Sequence, residues 1–244
     1  MGFTVNYKID VSKNIDELSE KVARLLQSGA NDTEDYFTVA LSGGSTPKII
    51  FRYLAQNYKN KISWNKIKFF WGDERCVPAD HPDSNYSMTK GNLFDEIEIP
   101  AENIFAIDGS NVPSKEAVRY SNIIMENVAI KYGVPSFDLI LLGLGEDGHT
   151  ASIFPNQIEL LNSKNICEVA QHPELCQKRI TLTVEVINNA SEIIFLVTGI
   201  GKAKMIDTII NKKNDFEKLP ASFVKPKHGR LIWMLDEAAA NLMV

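Results

Sequence analysis

The sequence predicts a layered α/β sandwich, and three observations carry that prediction. The strongest apolar runs are short and apolar throughout instead of alternating, which marks strands covered on both faces, as in a parallel sheet. Amphipathic helical stretches separate these runs, and strands alternating with helices build a layered α/β fold. No linker rich in Gly, Ser or Pro and no internal repeat interrupts the chain, so the 244 residues are read as one domain, 1–244.

In chain order, Thr4–Ile9 is a weak strand candidate. Ile15–Leu26 follows as a helix, with Ile15, Leu18, Val22, Leu25 and Leu26 on one stripe and Asn14 with Glu17 as an Asx-type capping box. Phe37–Leu41 is a strong strand that runs into Ser42-Gly43-Gly44-Ser45-Thr46 and then a helix. Thr46 suits the N-cap and Pro47 the first helical position. Ile67–Trp71 is the next strong strand, followed by a polar loop of Asp73, Glu74 and Arg75. Ser84-Asn85-Tyr86 opens a further helical stretch, and Ile104–Ile107 is a weak strand. Pro113–Tyr132 reads as a helix with Ala117, Tyr120, Ile124 and Val128 on one face, ended by Gly133-Val134-Pro135. Phe137–Leu142, Ile193–Val197 and Leu231–Leu235 complete the strong strands; Ile166–Ala170 and Ile180–Val184 are weaker.

Composition narrows the function. Hydrophobic residues make up 44% and charged residues 23%, ordinary for a soluble globular protein. The net charge of −5 and the lack of any Lys/Arg run speak against a nucleic-acid partner, while a pocket inside an acidic protein can still be positive. The three cysteines, Cys76, Cys167 and Cys176, have neither the number nor the spacing of a disulfide framework, a redox motif or a zinc site. MGFTVNYKID is not a targeting segment, and no run approaches the ~18 apolar residues of a membrane span. The expectation is a soluble cytoplasmic protein in a reducing compartment, with no membrane partner.

Ligands of open α/β sheets bind beyond the carboxyl ends of strands, so the chemistry is sought there. After Leu41, two glycines let the backbone approach an anion, and free N–H groups at the helix start point at it. After Trp71 come Asp73 and Arg75. After Leu142, Gly143, Gly145 and Gly148 spell G-x-G-x-x-G, and Gly143 to Thr150 nearly spells a nucleotide-phosphate loop. The dinucleotide reading needs a long helix directly after the third glycine, but Pro155 limits any helix there to about two turns. Glu168, near the spacing of a ribose-binding acid, falls within a weak strand. The phosphate-loop reading needs a lysine where His149 stands. A histidine beside Asp147 at a strand end suits general acid–base work instead. After Val197, Lys202 can meet a phosphate as a point charge, and Arg179 can offer a bidentate fork.

The stretches LSGGSTP, WGDER, LLGLGEDGHTASIFP, KRITLT, VTGIGKA and LPASFV…LIWMLDEAAANL resemble the 6-phosphogluconolactonase family, in that family's order, over about residues 36 to 242. The resemblance implies a Rossmann-like three-layer sandwich with a mainly parallel sheet, NagB/RpiA/CoA-transferase-like and shared with glucosamine-6-phosphate isomerase/deaminase. It implies no nucleotide cofactor. It implies a small sugar-phosphate lactone as partner and hydrolysis of 6-phospho-D-glucono-1,5-lactone, the second step of the oxidative pentose phosphate pathway. Carried over by motif, Ser42, Gly43, Gly44, Ser45 and Thr46 line the phosphate and sugar end. Asp73 and Arg75 sit in the cleft, His149 is the base, and Arg179 and Lys202 grip the 6-phosphate. One departure stands out: the family often has histidine two positions before the arginine, where this chain has Gln177.

A lactone is already reactive, so the expected mechanism uses neither metal nor covalent nucleophile. No G-x-S-x-G elbow and no H-E-x-x-H motif occurs. His149 is expected to activate water, with either Asp147 or Asp73 fixing the imidazole tautomer. The rival deaminase reading calls for an acid-bearing A-F-N-E-P segment after the histidine, where this chain has Thr150-Ala151-Ser152-Ile153-Phe154-Pro155. A non-catalytic sugar-phosphate-binding protein is the other alternative, and a monomer or small homo-oligomer is expected.

Overall fold

The structure, a computed structural model, describes residues 7–243. Its regular elements are β1 (Tyr7–Ser12), α1 (Ile15–Asp32), β2 (Phe37–Leu41), α2 (Ser45–Tyr58), β3 (Ile67–Trp71), β4 (Asp73–Arg75), α3 (Asn85–Thr89), α4 (Pro113–Asn127), β5 (Ile130–Lys131), β6 (Val134–Pro135), β7 (Leu139–Leu142), β8 (Cys167–Gln171), β9 (Lys178–Leu182), α5 (Val184–Ile187), β10 (Glu192–Val197), α6 (Ala203–Ile210) and β11 (Arg230–Asp236). Short 3-10 turns join several of them.

Six strands form one sheet in the order β1-β11-β10-β7-β2-β3, and every neighbouring pair is parallel. Every residue of β7 and β10 is buried, as is nearly all of β2 and β3, so the sheet is covered on both faces. That burial is why these strands read as unbroken apolar runs. Phe195 stacks on Trp233 across β10 and β11 at 4.0 Å, and Phe70 stacks on Phe105 at 4.7 Å. Tyr120 of α4 is fully buried, and its hydroxyl accepts from Trp71 N at 2.7 Å and donates to Trp71 O at 3.2 Å. Parallel pairing, covered faces and intervening helices give the Rossmann-like α/β sandwich.

The sheet order creates a switch point. β2 and β7 are neighbours, but the chain leaves β2 for β3 on one side and leaves β7 for β10 on the other. Their ladder spans only Val39↔Leu139 and Ala40↔Ile140. Asp138 locks its amino end, accepting from Thr38 N at 2.9 Å and Thr38 Oγ1 at 2.7 Å. Beyond Leu41 and Leu142 the two chains part, and a crevice opens where this class of fold binds ligands.

Several expectations are corrected. Asp73–Arg75 is not a loop but a short strand, and with β9 and β8 it forms a separate antiparallel sheet in the order β4-β9-β8. Its polar side chains hide a strand whose backbone is satisfied by β9. The helix expected over Pro113–Tyr132 stops at Asn127, because the chain folds back into the β5–β6 hairpin through Tyr132 (φ 55°) and Gly133 (φ 78°). The first strand, expected over Thr4–Ile9, continues past Ile9 to Ser12 in the described span Tyr7–Ser12, and residues 4–6 lie outside the described residues. Ile104 makes a single parallel bridge to Phe69 instead of a strand. No helix follows Gly148; the next helical turn is the 3-10 segment Ile158–Asn162. The capping expectation for α1 holds in half: Asn14 Oδ1 accepts from Glu17 N at 3.0 Å, but Glu17 Oε2 accepts from Lys13 N at 2.9 Å, one residue before the N-cap.

Candidate active site

Three neighbouring strands of the parallel sheet, β2, β7 and β10, deliver their carboxyl ends to the crevice. After β2 the chain turns at Gly44, whose φ of 109° favours glycine, and α2 starts at Ser45. Gly44, not Thr46, is therefore the N-cap, and no side chain caps the helix. The uncapped N-terminus leaves backbone donors for a ligand, and the helix dipole favours an anion there. Thr46 is drawn elsewhere: its Oγ1 lies 2.7 Å from Thr198 Oγ1 at the end of β10, which ties two strand ends together. Ser42 Oγ is buried with no partner among the described residues. Gly43 is fixed by close packing, since a Cβ there would lie 1.8 Å from Asn85 Oδ1.

The turn after β7 builds the histidine. Gly145 N donates to His149 O at 2.8 Å, Gly148 N to Gly145 O at 3.2 Å, and Gly148 turns the chain at φ 81°. Thr150 Oγ1 donates back to Gly143 O at 2.9 Å. The imidazole lies against Gly145, where a Cβ would come 2.1 Å from Nδ1. Asp147 Oδ1 sits 2.6 Å from His149 Nδ1 and 3.1 Å from His149 N. Burial raises the Asp147 carboxyl, but the bond and charge of His149 outweigh it and hold the group below its ordinary value. An ionised carboxylate can only accept, so this contact places a hydrogen-bond acceptor on Nδ1 of the ring. Below, the ring packs on Phe154 at 4.8 Å between centroids.

The antiparallel sheet supplies the cations. Arg75 pairs with Arg179 across β4 and β9, and Asp73 pairs with Thr181, so these side chains share one face. Arg179 is buried; desolvation lowers its pKa and nearby Asp73 partly offsets this. Its Nε and the Nε of Arg75 are both buried without a partner among the described residues. Arg75 Nη1 donates to Asp83 O. Asp73 Oδ2 accepts from Ser152 Oγ at 2.6 Å and lies 3.9 Å from Arg179 Nη1. On the opposite face of β4, Glu74 holds α3 in place: its carboxylate accepts from Asn85 N, Tyr86 N, Ser84 Oγ and Arg75 N at 2.7–3.0 Å. Burial pushes that carboxyl up, against the pull of these donors.

Lys202, at the helical turn after β10, completes the ring. Its Nζ lies 3.9 Å from Glu146 Oε1 of the β7 turn. Together these elements enclose a cleft of about 270 Å³ lined by Ser42, Gly43, Gly44, Ser45, Thr46, Asp73, Arg75, His149, Arg179 and Lys202. Asp147 stands behind His149 rather than on the wall. Among the described residues, no three His, Cys, Asp or Glu side chains cluster as metal ligands.

The sequence model of the family described as "Glucosamine-6-phosphate isomerases/6-phosphogluconolactonase" matches residues 10–233. The chain belongs to this family. A 6-phosphogluconolactonase of Treponema pallidum (strain Nichols) is 42% identical over 228 residues, covering 92% of this chain and 95% of that protein. The solved 6-phosphogluconolactonase of Trypanosoma cruzi superposes with a TM-score of 0.85 at 29% identity, covering 98% of this chain and 97% of that one. A monomeric glucosamine-6-phosphate deaminase of the NagB superfamily superposes with a TM-score of 0.81 at 22% identity, covering 96% and 99%, which shows a shared fold.

The cleft wall holds every residue expected on it, Arg179 from within β9 and the others from segments that follow strands of the parallel sheet. Two contributors escaped the reading of strand ends. Thr198 was overlooked beside the more conspicuous Gly199 and Lys202, although a hydroxyl directly after an apolar strand was a usable signal. Ser152 is fully buried and hydrogen-bonds Asp73, a contact no local spacing announces. Between the carboxylates left open for His149, Asp147 makes the contact and Asp73 bonds Ser152 instead.

Proposed function

We propose that the chain hydrolyses 6-phospho-D-glucono-1,5-lactone to 6-phospho-D-gluconate. The observation that carries this reading is His149, backed by Asp147, lining the same cleft as Arg75, Arg179 and Lys202. Membership of the family and the likeness to the Treponema pallidum lactonase support the substrate.

In this reading the phosphate is held by Arg179 and Lys202, and the glycine loop from Ser42 to Thr46 lines the phosphate and sugar end. Arg75 and Arg179 both line the cleft, where guanidinium groups make charge-assisted bonds to an anion. Neutral His149, its Nδ1–H directed to Asp147, takes a proton through Nε2 from water as the water oxygen bonds to C1. The carbonyl electron pair moves to oxygen, and the oxyanion is met by glycine-turn N–H groups or a cleft arginine. The C1–ring oxygen bond then breaks, and the imidazolium returns its proton to the departing ring oxygen. Asp147 keeps the useful tautomer and stabilises the transient imidazolium.

The test is lactone hydrolysis coupled to 6-phosphogluconate dehydrogenase, corrected for spontaneous opening. A rate that scales with enzyme concentration supports the reading. Ammonia release from glucosamine 6-phosphate without lactone hydrolysis contradicts it in favour of a deaminase, and neither reaction leaves a sugar-phosphate-binding protein.

A further inference from the structure

Asp73 and Arg179 are both buried and lie on one face of the antiparallel sheet, yet they do not form a close pair. The nearest approach is 3.9 Å, from Arg179 Nη1 to Asp73 Oδ2. That oxygen is taken instead by Ser152 Oγ at 2.6 Å. Ser152 is fully buried and held in place by its backbone N, which donates to Thr181 Oγ1 at 3.2 Å, and Thr181 is the cross-strand partner of Asp73. Arg179 meanwhile keeps a buried Nε with no partner among the described residues. An isolated buried carboxylate beside a buried guanidinium normally closes into a bidentate pair, because each lowers the other's desolvation cost. A local donor on the carboxylate removes much of that drive.

We propose that Ser152 is a positioning residue that holds Asp73 away from Arg179, so that the arginine fork stays open to the anionic group of the substrate. The proposal rests on the sugar-phosphate reading above and assigns Ser152 no contact with the substrate. Without the hydroxyl, Asp73 swings onto Arg179 and competes with the incoming phosphate. The loss falls on ground-state binding, so Ser152→Ala raises KM with kcat little changed.

The experiment is a double-mutant cycle read as calorimetric affinity for 6-phosphogluconate. Ser152→Ala weakens binding roughly 10- to 100-fold, the value of one charge-assisted hydrogen bond. In the Asp73→Asn background, where no competing charge remains, the same substitution changes affinity less than about threefold. Ser152→Cys keeps the shape, with a somewhat larger atom, and only a weak donor, so it shows a smaller loss in the same direction and decides the question if the alanine variant does not fold. Unchanged affinity on removing the hydroxyl overturns the proposal, and so does an equal loss in both backgrounds. If the wild type hydrolyses lactone while either of those results holds, only the role of Ser152 fails. A wild type that neither binds 6-phosphogluconate nor hydrolyses the lactone overturns the parent reading and this one with it.

Discussion

Lys202 and Arg179 carry like charge into one cleft, but their surroundings differ. Lys202 is partly exposed and lightly engaged with Glu146, whereas Arg179 is buried over Phe154, with its guanidinium carbon 5.8 Å from that ring centroid. A point charge at the rim serves binding more than chemistry, so Lys202→Ala is expected to raise KM with kcat largely retained. A fall in kcat with unchanged KM would place Lys202 at the reacting carbon instead. Asp147→Asn tests the tautomer: an amide turned to donate to Nδ1 shifts the imidazole proton to Nε2, and kcat falls while KM stays near wild type. Most residues of this site were legible because they follow apolar strands, whereas Arg179 stands at the start of β9, ahead of its apolar run. The choice between Asp147 and Asp73 was not legible, because it depends on which carboxylate the turn at Gly145 and Gly148 folds toward the ring.

At the scale of elements, the strands with two covered faces announced themselves. β2 and β3 have the bounds read from sequence, since burial on both faces demands unbroken apolar runs. The short β4 did not, because its alternate residues serve the cleft and the α3 cap rather than the core. Helix α4 shows the complementary limit. Its apolar stripe persists to Val128, but the hairpin behind it decides where it ends. At its first turn, buried Glu116 accepts from Asp108 N at 2.7 Å, from Asn111 Nδ2 at 2.8 Å and from Arg119 Nε at 2.7 Å. Burial raises this carboxyl, but Arg119 and the other donors prevail and leave it below its usual 4.5. A depressed folded value means the stabilisation is fully present above about pH 4.5 and is lost as pH falls through the folded pKa. Glu116→Gln is therefore expected to cost about 1–2 kcal/mol at pH 7 by denaturant unfolding, with the gap to wild type narrowing in acid. A gap that widens on acidification would contradict the assignment.

For the whole molecule, strand order is what converts scattered motifs into one site. The divergence of the chain at β2 and β7 opens the crevice, and the second sheet brings Arg75 and Arg179 to its edge. The parallel class followed from the strand pattern, but the order did not, because nothing local says that β7 inserts beside β2 and away from β3. The cysteines give an independent check on packing. Burial pushes Cys167 up to about 12 and Cys76 up to about 11, while Cys176 is exposed. Iodoacetamide at pH 8 is expected to modify Cys176 alone in the native protein and all three thiols after denaturation. Rapid native labelling of Cys167 would show that the layer between α4 and β8 is not closed as described.

The central claim is that an imidazole activated by a neighbouring carboxylate performs the chemistry in a cleft whose cations hold the substrate. Its most direct test is steady-state lactone hydrolysis by His149→Ala beside the wild type, corrected for spontaneous opening. The account predicts a kcat lower by about 10² to 10⁴, with KM little changed. Turnover near the wild-type rate in a clean preparation would contradict it.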